Sequence, residues 1–486
     1  MPNNRLFNWL SGLLKMPLLN NSIWGIISNI FQNILFSIFF IVIARKYSTA
    51  DFSNYILANT LYSFVLAFSS LGLGQWFVRE VVKSEDKAGL INRFFKIQFI
   101  AGIFFYFVNV GLAFVLYDST MIRNLTLLVG VNLIFDNIIY VIKFVNIAEL
   151  NQKRTFIILS IEALLKFFIA CLLFVIPLQI LLLTGLLILL RFVTLNLFLR
   201  LGNVHLVSFS KIWKVKINLE DIKTIVFSNW TFVVIGSISV IYWRIGNILV
   251  SKWLTLKDVA DYEISFKFFS IVQILPTIVS GSLFPIFVKY YENKGENINK
   301  LYKISFFVYG MYGLTSYTFM YSFSDTIIPF LFGSKYMLTA IYCKQMFLTM
   351  LVFPTALLQA NLLIAMKLER KDMFINLVSL VVNFLFCAIG LYYYKTLSVV
   401  NYSIFISFLI FHLIQDFVLY KQRMISISHS ITFYLVSFGI VFLYESLASY
   451  VNPYILFISF WVFIGTMLIT YYQKYYAKGY VLFFSK

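Results

Sequence analysis

The sequence predicts an all-α, polytopic membrane protein with about fourteen transmembrane helices, and three observations carry that prediction. Of 486 residues, 61% are hydrophobic and 12% charged, against roughly 45–50% apolar and 25% charged in a soluble globular chain. The apolar residues fall into continuous runs of about 20, the helix length that crosses ~30 Å of hydrocarbon. The basic residues gather between alternate runs, as they do when every second loop faces the cytoplasm. Continuous runs exclude a membrane β-barrel, whose strands alternate lipid-facing and lumen-facing positions over about ten residues.

In chain order, residues 1–20 read as an interfacial amphipathic segment. The stretch from Arg5 to Leu18 is short and two-faced, and no small-residue cleavage site precedes the first span. A first set of six spans is expected at about 24–43, 54–73, 97–116, 125–147, 156–176 and 181–199, an N-lobe over 21–205. A cytoplasmic linker at 206–220 leads to a second set at about 225–250, 259–279, 304–322, 340–365, 375–394 and 404–420, a C-lobe over 221–424. A C-terminal helix pair at about 431–448 and 454–472 occupies 425–486.

Lys plus Arg number 39 against 20 Asp plus Glu. Most of the cations fall in one set of alternate loops, for example Arg79, Lys83, Lys87 and Arg93, then Lys153 and Arg154, then Lys367, Arg370 and Lys371. The positive-inside rule therefore puts both termini in the cytoplasm. The surplus is a topology signal that also meets anionic lipid, not a nucleic-acid surface. Cys171, Cys343 and Cys387 are scattered singly, without disulfide or metal spacing, and read as packing residues.

The two sets of six contain a match at constant offset. IVIARKYSTADFSNYILA at 41–58 aligns with ILVSKWLTLKDVADYEIS at 248–265, pairing Arg45 with Lys252, Ser48 with Thr255, Asp51 with Asp258 and Tyr55 with Tyr262. In each copy a hydroxyl residue stands three before an acid, the pattern of a capping box at a helix start. Six spans per set make equivalent helices run in the same direction, so the lobes are expected to be parallel pseudo-repeats around a central cavity.

The sequence from Ala44 through Asp51 and Tyr55, followed by Leu71-Gly72-Leu73-Gly74 and Arg79-Glu80, resembles the opening of bacterial polysaccharide flippases. The resemblance continues through Arg244-Ile245, Leu275-Pro276 and Phe284-Pro285. Further on it takes in Pro329 to Tyr336, Leu363 to Met366 and Asn383, so it covers nearly the whole chain. The group is the O-antigen or capsule repeat-unit flippases, within the superfamily that also holds multidrug exporters and lipid II flippases. It implies two six-helix lobes around a cavity and a C-terminal helix pair, in the bacterial inner membrane. Its implied activity is alternating-access transfer of polyprenyl-pyrophosphate-linked oligosaccharide to the outer leaflet. Implied partners are that lipid-linked oligosaccharide, membrane lipids, a coupling proton or sodium ion, and a polysaccharide polymerase and glycosyltransferases of the same pathway. No cofactor is expected. One position departs from the pattern: Gly246 stands where the family often has an acid two residues after the Arg of the seventh span.

Charge inside a span costs at least about 2.5–3.5 kcal/mol on insertion scales, so such groups face a wet cavity or a partner. Here they are Asp136, Glu162, Lys166, Arg191, Arg244 and Lys267. The four cations are expected to line an electropositive chamber, with Asp136 and Glu162 exchanging a proton or binding a cation. The bland reading makes Glu162 and Lys166, at i,i+4, neutralise each other between helices. It lets Arg191 snorkel to the interface. Asp416 and His412 read as interfacial or packing residues, and Pro276, Pro285, Pro329 and Pro354 as kinks. Two other functions compete. A multidrug or cation exporter would want an acidic cavity, and a polytopic polymerase, an enzyme, would want a large external loop. The outward loops are short and no nucleophile or metal constellation appears.

Overall fold

The computed structural model describes residues 17–202, 230–292 and 297–476, with positions 215, 218, 223 and 225. The expected interfacial segment at 1–20 and the linker at 206–220 lie almost wholly outside the described residues. Within them every regular element is helical. In order these are α1 Pro17–Lys46, α2 Thr49–Ser69, α3 Gly74–Lys83, α4 Lys87–Leu116, α5 Thr120–Gly130, α6 Asn132–Ala148, α7 Gln152–Leu172, α8 Ile180–Leu201 and α9 Trp230–Trp253. Then come α10 Leu256–Val272, α11 Ile274–Glu292, α12 Asn297–Phe332, α13 Thr339–Phe347, α14 Phe353–Ala365, α15 Glu369–Tyr394, α16 Leu397–Lys421, α17 Ile427–Ala448 and α18 Pro453–Tyr476.

Eleven helical stretches among the described residues are long and apolar enough to cross a membrane. The α2, α9 and α12 helices coincide with further predicted spans. Their outer faces suit lipid rather than water: on α4, Phe104, Phe107 and Val115 stand 59%, 66% and 83% exposed. In water this would expose a large apolar patch, whereas hydrocarbon accepts it. The chain is a multi-pass, all-α membrane protein.

Local chemistry explains where helices start and break. At α2 the Ser48 hydroxyl accepts the Asp51 amide at 3.0 Å and donates to the Asp51 carboxylate at 2.7 Å. Thr255 and Asp258 repeat this at α10, with Thr255 Oγ1 to Asp258 Oδ2 at 2.6 Å and the Thr255 amide to the same oxygen at 3.0 Å. The box is reciprocal at α10, and at α2 its hydroxyl half forms, so each gives an open amide a partner. Just before the first of them, Tyr47 donates to the Leu178 carbonyl at 2.9 Å, and burial pushes its phenol up to about 12. The predicted fourth span is α5 and α6 joined through one tight turn, in which Val131 and Ile134 bond three residues back. The eighth span breaks at Gln273, between α10 and α11. Pro276, three residues on, has no amide to continue the ladder and falls in the first turn of α11, where none is needed. Pro354 likewise opens α14, whereas Pro285 and Pro329 lie within α11 and α12.

Two compact units contain these helices. The first comprises Met1–Lys267 and Asn376–Ser403. Its apolar core gathers Leu73, Phe77, Phe94, Ile138, Ile142 and Phe198. The short amphipathic α3 drives Trp76, Phe77 and Val81 into that core while Arg79 and Lys83 face outward. This unit also takes in α9, which packs along α2.

The second unit comprises Phe268–Ile375 and Ile404–Lys486. It buries Phe269, Phe287, Tyr302, Phe332, Tyr336 and Phe347. Within it, α17 and α18 are bonded to α12 by polar groups: Ser322 to Tyr444 at 2.6 Å, Trp461 Nε1 to Thr318 Oγ1 at 3.1 Å, and Tyr317 to Glu445. Gly313 lets α12 approach so closely that a Cβ there would strike the backbone carbonyl of Met350, a contact no side-chain movement could relieve.

Candidate functional site

Polar side chains on the helices of the first unit fall at helical spacing and form one wall each. Tyr55, Asn59 and Tyr62 do so on α2, Asp136, Tyr140 and Lys143 on α6, Glu162 and Lys166 on α7, and Thr184 and Arg191 on α8. They enclose two adjoining cavities of about 360 Å³ and about 550 Å³. Tyr62, Asp136, Lys143 and Arg191 line both. Lys166 and Glu162 belong to the first, and Arg244, with Trp243 and Phe266, to the second.

Arg191 organises the site. Its Nε reaches Asp136 Oδ1 at 2.6 Å and its Nη1 reaches Glu162 Oε2 at 2.5 Å. Tyr62 donates its hydroxyl to the other Asp136 oxygen. Glu162 Oε1 is taken by Lys166 Nζ at 3.0 Å, and that ammonium also lies 4.4 Å from the centre of the Phe36 ring. Arg191 therefore does not snorkel away: it is clamped between carboxylates of two other helices. In the adjoining cavity Arg244 Nη1 meets Glu263 Oε1 at 3.2 Å, and Asn247 holds the other Glu263 oxygen at 2.6 Å.

The order of burial decides what the cavities present. Side-chain exposure is 22% for Arg191, 24% for Lys166 and 27% for Arg244, against 8%, 1% and 9% for Asp136, Glu162 and Glu263. Each acid stands behind a base, so the open surface is positive although the ion pairs nearly balance. Guanidinium and ammonium donors facing a wet space between hydrophobic walls suit a phosphate, pyrophosphate or acidic sugar.

Five of the six sequence-predicted residues thus line the two cavities, and Lys267 lines neither. Its Nζ lies 5.7 Å from the centre of the Phe40 ring, one turn after Glu263 on α10. Sequence reasoning missed Lys143, Tyr62 and Glu263. Lys143 sits inside α6, within the expected span 125–147. The run Asp136, Tyr140, Lys143, spaced by four and then three residues, was the available signal. Glu263 lies in the predicted span 259–279, where the cost of an internal charge would have marked it.

The departure at Gly246 has a steric reason. A Cβ there would stand 2.5 Å from the hydroxyl of fully buried Tyr262, so no acid fits, and Arg244 takes its carboxylate from α10 instead. Gly246→Asp is expected to destabilise the protein by about 1–3 kcal/mol through overpacking alone. Thermal melting in detergent reads this, and an unchanged melting temperature would contradict the packing.

Among curated protein sequences none matches this chain. Solved structures share its fold at low identity. The lipid II flippase MurJ, in an inward closed conformation, matches at 13% identity and TM-score 0.67, over 92% of this chain and 99% of that one. An inward-facing multidrug resistance MATE family transporter of the MOP superfamily matches at 10% identity and TM-score 0.65, over 81% and 94%. A MOP superfamily transporter from Pyrococcus furiosus, described as having a binding pocket of reverse polarity that suggests a different function, matches at 12% identity and TM-score 0.59, over 84% and 95%. The sequence model of a family described as polysaccharide biosynthesis protein matches residues 42–342, more than half of the chain. On that match, with the transporter-like fold around it, the chain belongs to the polysaccharide biosynthesis protein family.

Proposed function

We propose that the protein is a flippase that carries polyprenyl-pyrophosphate-linked oligosaccharide repeat units, of O-antigen or capsule, from the cytoplasmic to the outer leaflet of a bacterial inner membrane. The observation that carries this reading is the layered charge of the two cavities, with Arg191, Lys166 and Arg244 in front and their carboxylates behind. A pyrophosphate crossing hydrocarbon meets a barrier of several kcal/mol per charge, and a wet cationic chamber replaces its lost hydration. Alternating access by two lobes, with both termini cytoplasmic, supplies the passage without any catalytic group. The family match to polysaccharide biosynthesis supports a sugar cargo.

A multidrug exporter of the same fold would take cations, which these cavities repel. The reversed pocket polarity described for the Pyrococcus furiosus transporter is a precedent for that distinction. Deleting the gene and resolving lipid-linked saccharides by leaflet tests the proposal. Complete repeat units should accumulate in the inner leaflet, and normal surface polysaccharide in the deletion strain would refute it.

A further inference from the structure

The second unit holds a buried titratable cluster that the cationic cavities do not use. On α16, His412 is fully buried and Asp416 nearly so. His412 Nδ1 lies 2.5 Å from the Tyr434 hydroxyl and 3.6 Å from Asp416 Oδ2, while its Nε2 meets no hydrogen-bond partner among the described residues. Asp416 accepts Gln359 Nε2 of α14 at 2.6 Å, the Tyr434 hydroxyl of α17 at 3.3 Å, and Ser430 of α17.

Its partners contrast with those of the other carboxylates. Asp136 and Glu162 are held by Arg191, which keeps its proton at any working pH, so neither needs another. Among the described residues, Gln359, Tyr434 and Ser430 are neutral partners of Asp416, and its one ionic partner is His412, a cation only when protonated. With His412 neutral the cluster buries one uncompensated negative charge, which the membrane interior strongly disfavours. One proton on the imidazole turns it into a compensated pair. The other titratable groups facing the cluster are Tyr302 and exposed Lys303 of α12 and half-buried His429 of α17.

We propose that His412 and Asp416 form a membrane-embedded proton-binding site joining α12, α14, α16 and α17. A groove of about 230 Å³ between α12 and α17 is lined by Lys303, His429, Phe306 and Phe433. The Phe433 ring stacks on His412 with centroids 5.3 Å apart. Because the bonds of the cluster run between helices, gaining or losing this proton changes how α17 is held to α14 and α16.

The chain has three histidines, so ring-labelled histidine NMR of the full-length protein in nanodiscs gives three signals. His205→Gln and His429→Gln identify the third by elimination. The His412 signal is expected to respond to pH, and Asp416→Asn to change that response. No substrate is required, so the result is independent of what the protein transports. A His412 signal that does not respond to pH, or a response indifferent to Asp416→Asn, would overturn the site.

Discussion

Arg191→Ala is expected to be the most damaging single substitution in the protein, lowering both its abundance in the membrane and its melting temperature in detergent. The guanidinium bridges two carboxylates from different helices, 8% and 1% exposed. Truncation would leave Asp136, among the described residues, hydrogen-bonded only to neutral Tyr62, and Glu162 paired only with Lys166. Removing one partner of a buried ion pair costs about 3–5 kcal/mol because the remaining charge is stranded. That is a large part of the roughly 5–15 kcal/mol that holds a typical fold together. The reasoning has a sharp counter-test, since replacing a whole buried ion cluster by neutral groups of similar size is often close to neutral. Combining Asp136→Asn and Glu162→Gln with Arg191→Met leaves only Lys166, 24% exposed at the open face of the cavity, without its carboxylate, and should therefore recover most of the lost stability while leaving the cavity without its central cation. Wild-type melting in Arg191→Ala, or no recovery in the triple variant, would mean that these three side chains do not form the network described.

Much of the fold was legible because a membrane imposes rules that act on single helices. Length and hydropathy located the spans, and both capping boxes could be read because their partners lie three residues apart. The in-span charge rule found Asp136, Glu162, Lys166 and Arg191, but it could not say which acid faces which base. The pairing of Arg191 with Asp136, 55 residues away, depends on which helices are neighbours, and nothing local encodes that. Lys143 was lost for another reason: hydropathy falls gradually near the end of α6, and a lysine there looks the same to a sliding window whether it faces the cytoplasm or turns back into a cavity. The polar spacing along α6 separates the two cases. The His412 cluster was underread because each of its members, taken alone, is an ordinary packing residue. Its meaning comes from Gln359, Asp416 and Tyr434 converging from three helices.

Arg244→Ala should divide stability from transport, which makes it the most direct test of the cationic chamber. Arg244 pairs with one carboxylate where Arg191 bridges two, and Glu263 keeps the 2.6 Å hydrogen bond from Asn247, so less buried charge is left unpaired. The fold should therefore survive with a modest drop in melting temperature, smaller than in Arg191→Ala. Export should suffer more. A hydrogen bond to a charged group contributes about 1.5–3 kcal/mol, so losing one from the anion's path lowers export by roughly tenfold to a hundredfold. Arg244→Lys keeps the charge but not the planar fork, and is expected to fall between wild type and Arg244→Ala. The measurement is surface polysaccharide normalised to the amount of folded protein in the membrane. Adding Glu263→Gln to Arg244→Ala separates the explanations: it removes the leftover negative charge, so it should restore stability without restoring export. If the double variant exports like wild type, the defect lay in the stranded carboxylate, and Arg244 does not act on the cargo.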